Sequence, residues 1–124
     1  MIKKKKVPKV KTFPVPYTLE KIKEDISIST TTSTNKYQII NKAFKLHSQG
    51  NIAEAAKYYK YFIEQGFKDH RVFSNYGIIL RALGHLQEAE LSTRKAIELN
   101  PNFADAYLNL GSILKELGNL KDAE

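Results

Sequence analysis

The chain has 124 residues, of which 42% are hydrophobic, and a formal net charge of +7. This length allows one modest core and no second globular domain. Cysteine is absent, which excludes disulfides and cysteine-based zinc sites and is compatible with a reducing compartment. The apolar runs are far shorter than a membrane span, and the Lys-rich start lacks the apolar block of a signal peptide. We therefore expect a cytoplasmic protein without a membrane span.

The basic charge is concentrated at the N-terminus. Six lysines lie there, enough to account for six of the seven net positive charges: Lys3, Lys4, Lys5, Lys6, Lys9 and Lys11. Pro8, Pro14 and Pro16 follow, and the Ser/Thr-rich residues 27–34 disfavour a helix. We predict that residues 1–35 form a disordered tail and linker. We interpret the tail as a solubilising arm, with salt-sensitive affinity for anionic lipid or nucleic acid as the alternative.

From residue 36 onward, four residue types recur at an interval of 34 residues. They are Asn41, Asn75 and Asn109; Leu46, Leu80 and Leu114; Gly50, Gly84 and Gly118; and Ala55, Ala89 and Ala123. Apolar residues before each glycine are spaced at i, i+3, i+4 and i+7, which predicts a helix with one buried face. Each glycine can adopt the left-handed conformation that ends a helix. The pattern therefore predicts pairs of helices joined by turns at these three glycines.

A second helix is expected to follow each turn. Asn51, His85 and Asn119 stand at its start in sequences that resemble a capping box. The recurring alanines let two antiparallel helices approach closely. The second helix of the first repeat is unusually aromatic, with Tyr58, Tyr59, Tyr61 and Phe62. We interpret these rings as core residues that cover one end of the array, and not as a ligand site.

The central repeat contains Phe73-x-x-Tyr76-Gly77-x-x-Leu80, followed by Ala89, Thr93, Ala96 and Pro101. This pattern resembles the tetratricopeptide repeat, in which W-x-x-L-G-x-x-Y, A-x-x-x-F and P stand at matching offsets. The resemblance implies an all-α solenoid of antiparallel helix pairs with repeats at 36–69 and 70–103 and a partial repeat at 104–124. The first repeat departs most from the pattern, at Lys42, Phe62 and Phe67.

No group of residues supports catalysis, a metal site or a cofactor site. His47, His70 and His85 are far apart in the sequence, and none has a second histidine one helical turn away. No nucleophile-elbow, P-loop or dinucleotide motif occurs. We therefore expect surface histidines, no cofactor and no enzymatic activity in this chain.

The resemblance implies that the first helix of each repeat lines a concave binding face. At its sixth positions stand Asn41, Asn75 and Asn109, and at its twelfth positions His47, Arg81 and Lys115. Exposed carboxamides can hydrogen-bond the backbone of an extended peptide, and a parallel cationic column favours acidic or C-terminal carboxylate ligands. The predicted function is a scaffold that binds a protein or peptide. We expect the Asn75 side chain to face solvent, so that its loss weakens binding more than folding.

Two other functions remain open. Residues 95–107 and 110–118 resemble the superhelical array that precedes the catalytic part of O-linked N-acetylglucosamine transferases. In this first alternative, the chain is the non-catalytic N-terminal part of a larger glycosyltransferase, sulfotransferase or methyltransferase and selects its substrate. The second alternative is a module that its lysine tail anchors to an anionic surface. The two-carboxylate clamp of chaperone-binding members is matched only at Asn75, which argues against a chaperone C-terminus as ligand.

The sequence stops at Glu124, inside the predicted second helix of the third repeat, which is expected to begin near Leu120. Leu110, Leu114 and Leu117 are then exposed on the side that a complete second helix would cover. Arrays of this kind need about three repeats and polar capping helices at their ends. We expect the natural polypeptide to continue and the third repeat to fray, with self-association through this uncapped end as the alternative.

Overall fold

The computed structural model describes residues 32–123, and side chains within residues 35–121. Five helices follow one another: α1 (Thr32–Ser48), α2 (Ile52–Glu64), α3 (His70–Ala82), α4 (Leu86–Leu99) and α5 (Ala104–Ala123). Each helix packs on the next, and α5 also contacts α3. Residues 32–123 contain no strand. The prediction of an all-α solenoid of antiparallel helix pairs is therefore confirmed.

The start of α1 lies at Thr32, before the array boundary predicted at residue 36. The first four residues of α1 therefore fall inside the segment predicted as a linker. The lysine tail, and the functions predicted for it, lie outside the described residues.

The turns predicted at Gly50 and Gly84 are confirmed. Both glycines have a left-handed backbone, with φ of +83° and +85°. At each turn the glycine N–H bonds the carbonyl three residues earlier at 3.0 Å, and the next N–H bonds the carbonyl five residues earlier at 2.9 Å. This pair of bonds is a Schellman motif, which satisfies carbonyls left free at the helix end. The same chemistry at a 34-residue interval therefore gives the same reversal of the chain.

The turn predicted at Gly118 is wrong, because α5 runs through it without a break to Ala123. At Gly50 and Gly84 the chain turns back because 13 or 14 helical residues follow and bury an apolar face. Only six residues follow Gly118 in this sequence, too few to bury such a face. The cap predicted at Asn119 is consequently wrong as well. Continuing α5 satisfies more backbone groups than ending it would.

The capping predictions at Asn51 and His85 are also wrong in their chemistry. Each residue precedes its helix as expected, but neither side chain caps a backbone N–H. His85 Nδ1 instead lies 3.1 Å from Oε1 of Glu88. The side-chain cap occurs at Asp69, whose Oδ1 accepts from the backbone N–H of Arg71 at 2.9 Å before α3. The capping-box pattern therefore located helix starts but not the residue that caps.

The largest core cluster lies among α1, α2 and α3. Its buried residues are Ile39, Ile40, Ala43, Leu46, Ala55, Tyr58, Tyr59, Tyr61, Phe62, Val72 and Ile79. The core role predicted for the aromatic residues of α2 is thus confirmed. Phe67, at the usual proline position, lies 5.4 Å from the ring of Phe62, centroid to centroid. Ala55 and Ala89 are fully buried, as close approach of paired helices requires.

Candidate peptide-binding face

Two of the sixth-position asparagines make equivalent contacts between repeats. Nδ2 of Asn75 donates to the Tyr59 hydroxyl at 3.1 Å, and Nδ2 of Asn109 donates to Oγ1 of Thr93 at 3.0 Å. In both pairs the acceptor lies 16 residues earlier, on the second helix of the preceding repeat. Each asparagine therefore ties its own repeat to the one before it.

Solvent exposure differs along the asparagine column. Asn41 is exposed, Asn75 is half-buried, and Asn109 is only 7% exposed. The expectation of a column that faces solvent is therefore wrong for Asn109 and incomplete for Asn75. Among the described residues, the side chain of Asn75 forms one hydrogen bond, through Nδ2 to Tyr59. Its Oδ1 consequently remains able to accept an N–H group from a ligand.

The Tyr59 hydroxyl connects two of the predicted binding residues. It lies 2.8 Å from Nδ1 of His47 and accepts the bond from Asn75, while the tyrosine as a whole is fully buried. Burial raises the pKa of Tyr59, and the smaller effect of the Asn75 bond lowers it, so the pKa lies above its ordinary value. The neutral hydroxyl can donate its proton to His47 Nδ1, which leaves the imidazole proton on Nε2.

Above this network lies a pocket of about 380 Å³ between α1 and α3, which we call the concave pocket. Its lining residues are Phe44, His47, Ser48, Tyr59, Arg71, Asn75 and Phe103. Phe44, Tyr59 and Phe103 contribute rings to this lining, and the other four lining residues contribute polar side chains. Such a combination is usual for ligand sites, where apolar walls supply contact and a few polar groups fix orientation.

Arg71 is held at the rim of the concave pocket. Its Nε and Nη2 donate to the two carboxylate oxygens of Asp69 at 3.0 and 2.8 Å. Its guanidinium carbon lies 5.2 Å from the centroid of the Phe44 ring, within cation–π range. Burial raises the pKa of Asp69, but hydrogen bonds and positive charge from Arg71 outweigh it, so the pKa lies below its ordinary value. The Arg71 charge is thus compensated within the protein.

The cationic column predicted at the twelfth positions is not uniform. Nε and Nη2 of Arg81 lie 2.8 and 2.7 Å from Oε2 of Glu116, so a carboxylate compensates this charge as well. His47 bonds Tyr59, as described above. Lys115 is exposed on α5. The three residues that the resemblance places in one column therefore differ in their contacts and exposure.

Two of the three histidines are less exposed to solvent than predicted. His85 is exposed, but His47 and His70 are half-buried, and the His70 ring lies 4.8 Å from that of Phe103. Within residues 32–123, no group of three or more His, Asp or Glu residues could hold a metal ion. None of the described helices is long and apolar enough to cross a membrane.

Of the six predicted binding residues, the concave pocket brings together His47 and Asn75. Asn41, Asn109, Arg81 and Lys115 are not among its lining residues. Sequence reasoning assigned Tyr59 to the core alone, and it missed four other lining residues: Phe44, Ser48, Arg71 and Phe103. A signal for Arg71 was present, since it lies on the first helix of its repeat, which the resemblance assigns to the concave face.

Comparison with protein-family models identifies the repeat. One tetratricopeptide repeat model matches residues 70–103, and a second matches residues 93–124. Neither of these two models extends to residues 36–69, where the sequence departs most from the pattern. A search of the curated proteins found no match. The models describe the repeat in general and do not single out the arrays of transferases. From these matches and the paired helices, residues 70–124 of this chain belong to the tetratricopeptide repeat family.

Proposed function

We propose that the concave pocket binds an extended peptide by holding one of its large apolar side chains. Repeats of this family form protein-interaction scaffolds with extended concave surfaces. The observation that carries the proposal is the pocket itself, whose volume of about 380 Å³ falls within the range of about 300–1,000 Å³ usual for ligand sites. Phe44 and Phe103 offer aromatic faces to a bound side chain.

The charge pattern favours an apolar side chain over an acidic one. Arg71 and Arg81, which otherwise attract carboxylates, already bond Asp69 and Glu116. A ligand carboxylate has to compete with these partners, so its net gain is small. An apolar or aromatic side chain gains from leaving water and displaces no existing ion pair. This changes the ligand expected from the sequence, where a cationic column favoured acidic peptides.

Asn75 supplies the polar contact in this proposal. Its Nδ2 bonds Tyr59, and its Oδ1 can accept one backbone N–H of the peptide. The network to His47 fixes the position of the amide before the ligand arrives, which lowers the entropy cost of binding. Affinity then depends on one oriented hydrogen bond and one buried side chain. The rest of the peptide sequence contributes little to specificity.

The proposal is tested with peptides selected from a random displayed library on the folded chain. Ser48 is exposed and lines the concave pocket at the end of α1, so Ser48→Trp fills the pocket without disturbing the core. The neighbouring residue Gln49 is also exposed but is not among the lining residues, so Gln49→Trp is the matched control. Selected peptides, labelled for fluorescence anisotropy, should bind Ser48→Trp at least about tenfold more weakly than they bind the control. This is a difference of about 1.4 kcal/mol in binding free energy. Equal binding to both folded variants contradicts the proposal.

A further inference from the structure

A second groove lies between α2 and α4, and we call it the outer groove. Its volume is about 230 Å³. Helix α3 forms its floor with Phe73, Tyr76 and Leu80, and its walls carry Ile63 on α2 and Leu91 on α4. Leu91 is 70% exposed, so this wall is open to solvent. None of the residues that line the concave pocket lines the outer groove, which is therefore a separate surface with an apolar floor.

Carboxylates stand on both sides of the outer groove. Glu88 lines it from α4, and Glu64 is the last residue of α2. Burial raises the pKa of Tyr76 on the floor, and the charges of Glu88 and Glu64 raise it further. The negative charge of both walls therefore acts on the floor of the groove.

The positive charge at the outer groove is compensated within the protein. Lys95 lines the groove, and its Nζ lies 3.4 Å from Oε1 of Glu98. Glu64 has no ion pair among the described residues. Glu88 contacts the imidazole of His85 at 3.1 Å, and its side chain stays 67% exposed. The groove thus combines an apolar floor with available carboxylates, which favours a partner that is both apolar and cationic.

The N-terminal part of the chain contains a segment with this chemistry. Residues 5–13 read Lys-Lys-Val-Pro-Lys-Val-Lys-Thr-Phe. A polyproline II helix has three residues per turn, so in this conformation Val7, Val10 and Phe13 share one face. Pro8 and Pro14 favour the conformation, both in themselves and through the residues before them. The lysines fall on the two other faces: Lys6 and Lys9 on one, and Lys5 and Lys11 on the next.

We propose that residues 5–13 bind in the outer groove of their own chain in this extended conformation. Val10 and Phe13 then lie on the apolar floor, and the lysines of the flanking faces lie beside Glu64 and Glu88. The apolar side chains gain from leaving water. The opposite charges orient the segment along the groove, most strongly at low salt.

The length of the groove floor agrees with the spacing of the segment. Residues on one face of a polyproline II helix follow each other at about 9 Å. Phe73 and Leu80 are seven residues apart on α3, which is about 10 Å along the helix. Two successive apolar side chains, those of Val10 and Phe13, therefore match the length of the floor.

The segment is also joined to the array near the groove. Residues 14–31 connect it to Thr32 at the start of α1, and a chain of this length spans up to about 60 Å. Because α1 and α2 pack as an antiparallel pair, the end of α2 at Glu64 lies beside the first half of α1. Packed helices are about 8–10 Å apart, so the connection is long enough to reach the groove.

Binding within one chain requires only weak affinity. A tethered segment has an effective concentration in the millimolar range. With a dissociation constant of about 0.1 mM and an effective concentration of about 1 mM, about ten segments are bound for each one that is free. A groove smaller than the concave pocket is sufficient for such a contact.

Tryptophan fluorescence of the full chain tests the position of the segment. The chain has no tryptophan, so Phe13→Trp introduces a single reporter. Tyr17→Trp is the matched control, because residue 17 lies off the face that Val10 and Phe13 share. The acrylamide quenching constant of Phe13→Trp should be at least about fivefold lower than that of the control, since about ten segments are bound for each free one. This constant should not change on dilution, because the contact forms within one chain.

The groove is tested by adding Leu91→Lys to the Phe13→Trp chain. This substitution removes an apolar wall and repels the lysines of the segment, so it should raise the quenching constant to within about twofold of that of Tyr17→Trp. Leu108→Lys adds the same charge on α5, where Leu108 is 74% exposed and does not line the groove, and it should leave the constant unchanged. If circular dichroism shows that Leu91→Lys unfolds, Glu64→Lys combined with Glu88→Lys takes its place, since both carboxylates are exposed.

Three results would overturn the proposal. The first is a tryptophan at position 13 that is quenched as strongly as the one at position 17. The second is a protected tryptophan that responds neither to Leu91→Lys nor to the two charge reversals, which means that the segment binds elsewhere. The third is protection that is lost on dilution, which means that the segment binds a second copy of the chain.

Discussion

Gly77→Ala should destabilise the protein, although alanine is the better helix former. Gly77 lies in the middle of α3, where alanine would ordinarily gain about 1 kcal/mol in helix propensity. Here the added Cβ meets the hydroxyl of Thr93, a fully buried residue, and lies 3.5 Å from Nδ2 of Asn109. The clash therefore falls on the hydrogen bond that joins the second and third repeats.

The magnitude follows from these contacts. Overpacking of a buried site costs about 1–3 kcal/mol, and weakening the buried Asn109 bond to Thr93 costs about 1 kcal/mol more. After the gain in helix propensity, the net loss is about 2 kcal/mol of unfolding free energy. A loss of this size lowers the melting temperature of an array of this length by about 10 °C.

Urea unfolding followed by circular dichroism measures the loss. The control is Gly111→Ala, which is the same substitution at the equivalent position of the next repeat, where the added Cβ meets open space. This control should stabilise the folded chain by up to about 1 kcal/mol. Thr93→Ala should lower the free energy of unfolding less in the Gly77→Ala variant than in the wild-type chain. In the variant it also removes the clash with the added Cβ. The reasoning is refuted if both glycine-to-alanine variants change the stability equally.

Three further predictions follow from the contacts of single side chains. Asn109→Ala should lower the free energy of unfolding by about 1–3 kcal/mol, because it leaves the buried Thr93 hydroxyl without its partner. In the same urea titration Asn41→Ala, at an exposed position, should change that free energy by less than about 0.5 kcal/mol. Tyr59→Phe should cost about 1 kcal/mol and should also weaken the selected peptides in anisotropy titrations, since Asn75 loses the bond that orients it. The pKa of Asp69 lies below its ordinary 3.8, so the stability that its carboxylate contributes is present above this pH and is lost as the pH falls below it. Asp69→Asn should therefore flatten the pH dependence of the melting temperature in this acid range.

The turns show which part of the fold the sequence can predict. Gly50 and Gly84 end their helices as the 34-residue pattern indicates, because the reversal uses local chemistry and a following helix long enough to pack. Gly118 has the same local chemistry, but α5 continues through it. A glycine permits the left-handed conformation without requiring it. The outcome depends on what the next residues can bury, which a local pattern does not contain.

The binding face, too, can be predicted only in part from the local sequence pattern. Its position on the first helices follows from the repeat, and His47 and Asn75 do line one pocket. Their contacts, however, depend on the residue that the preceding second helix presents to the sixth-position asparagine. Tyr59 lines the pocket and bonds a half-buried Asn75, whereas the smaller Thr93 bonds Asn109, which is only 7% exposed. Side chains 16 residues apart thus decide which members of a regular column can meet a ligand.

Backbone amide NMR of the labelled chain with a selected peptide tests most directly whether a peptide binds in the concave pocket. The largest chemical-shift changes should fall on the second half of α1 and the first half of α3, around Phe44 and Asn75, and they should saturate with one peptide per chain. They should be absent in Ser48→Trp. Changes concentrated instead on the groove between α2 and α4, which is lined by Ile63 and Leu91, would contradict the account.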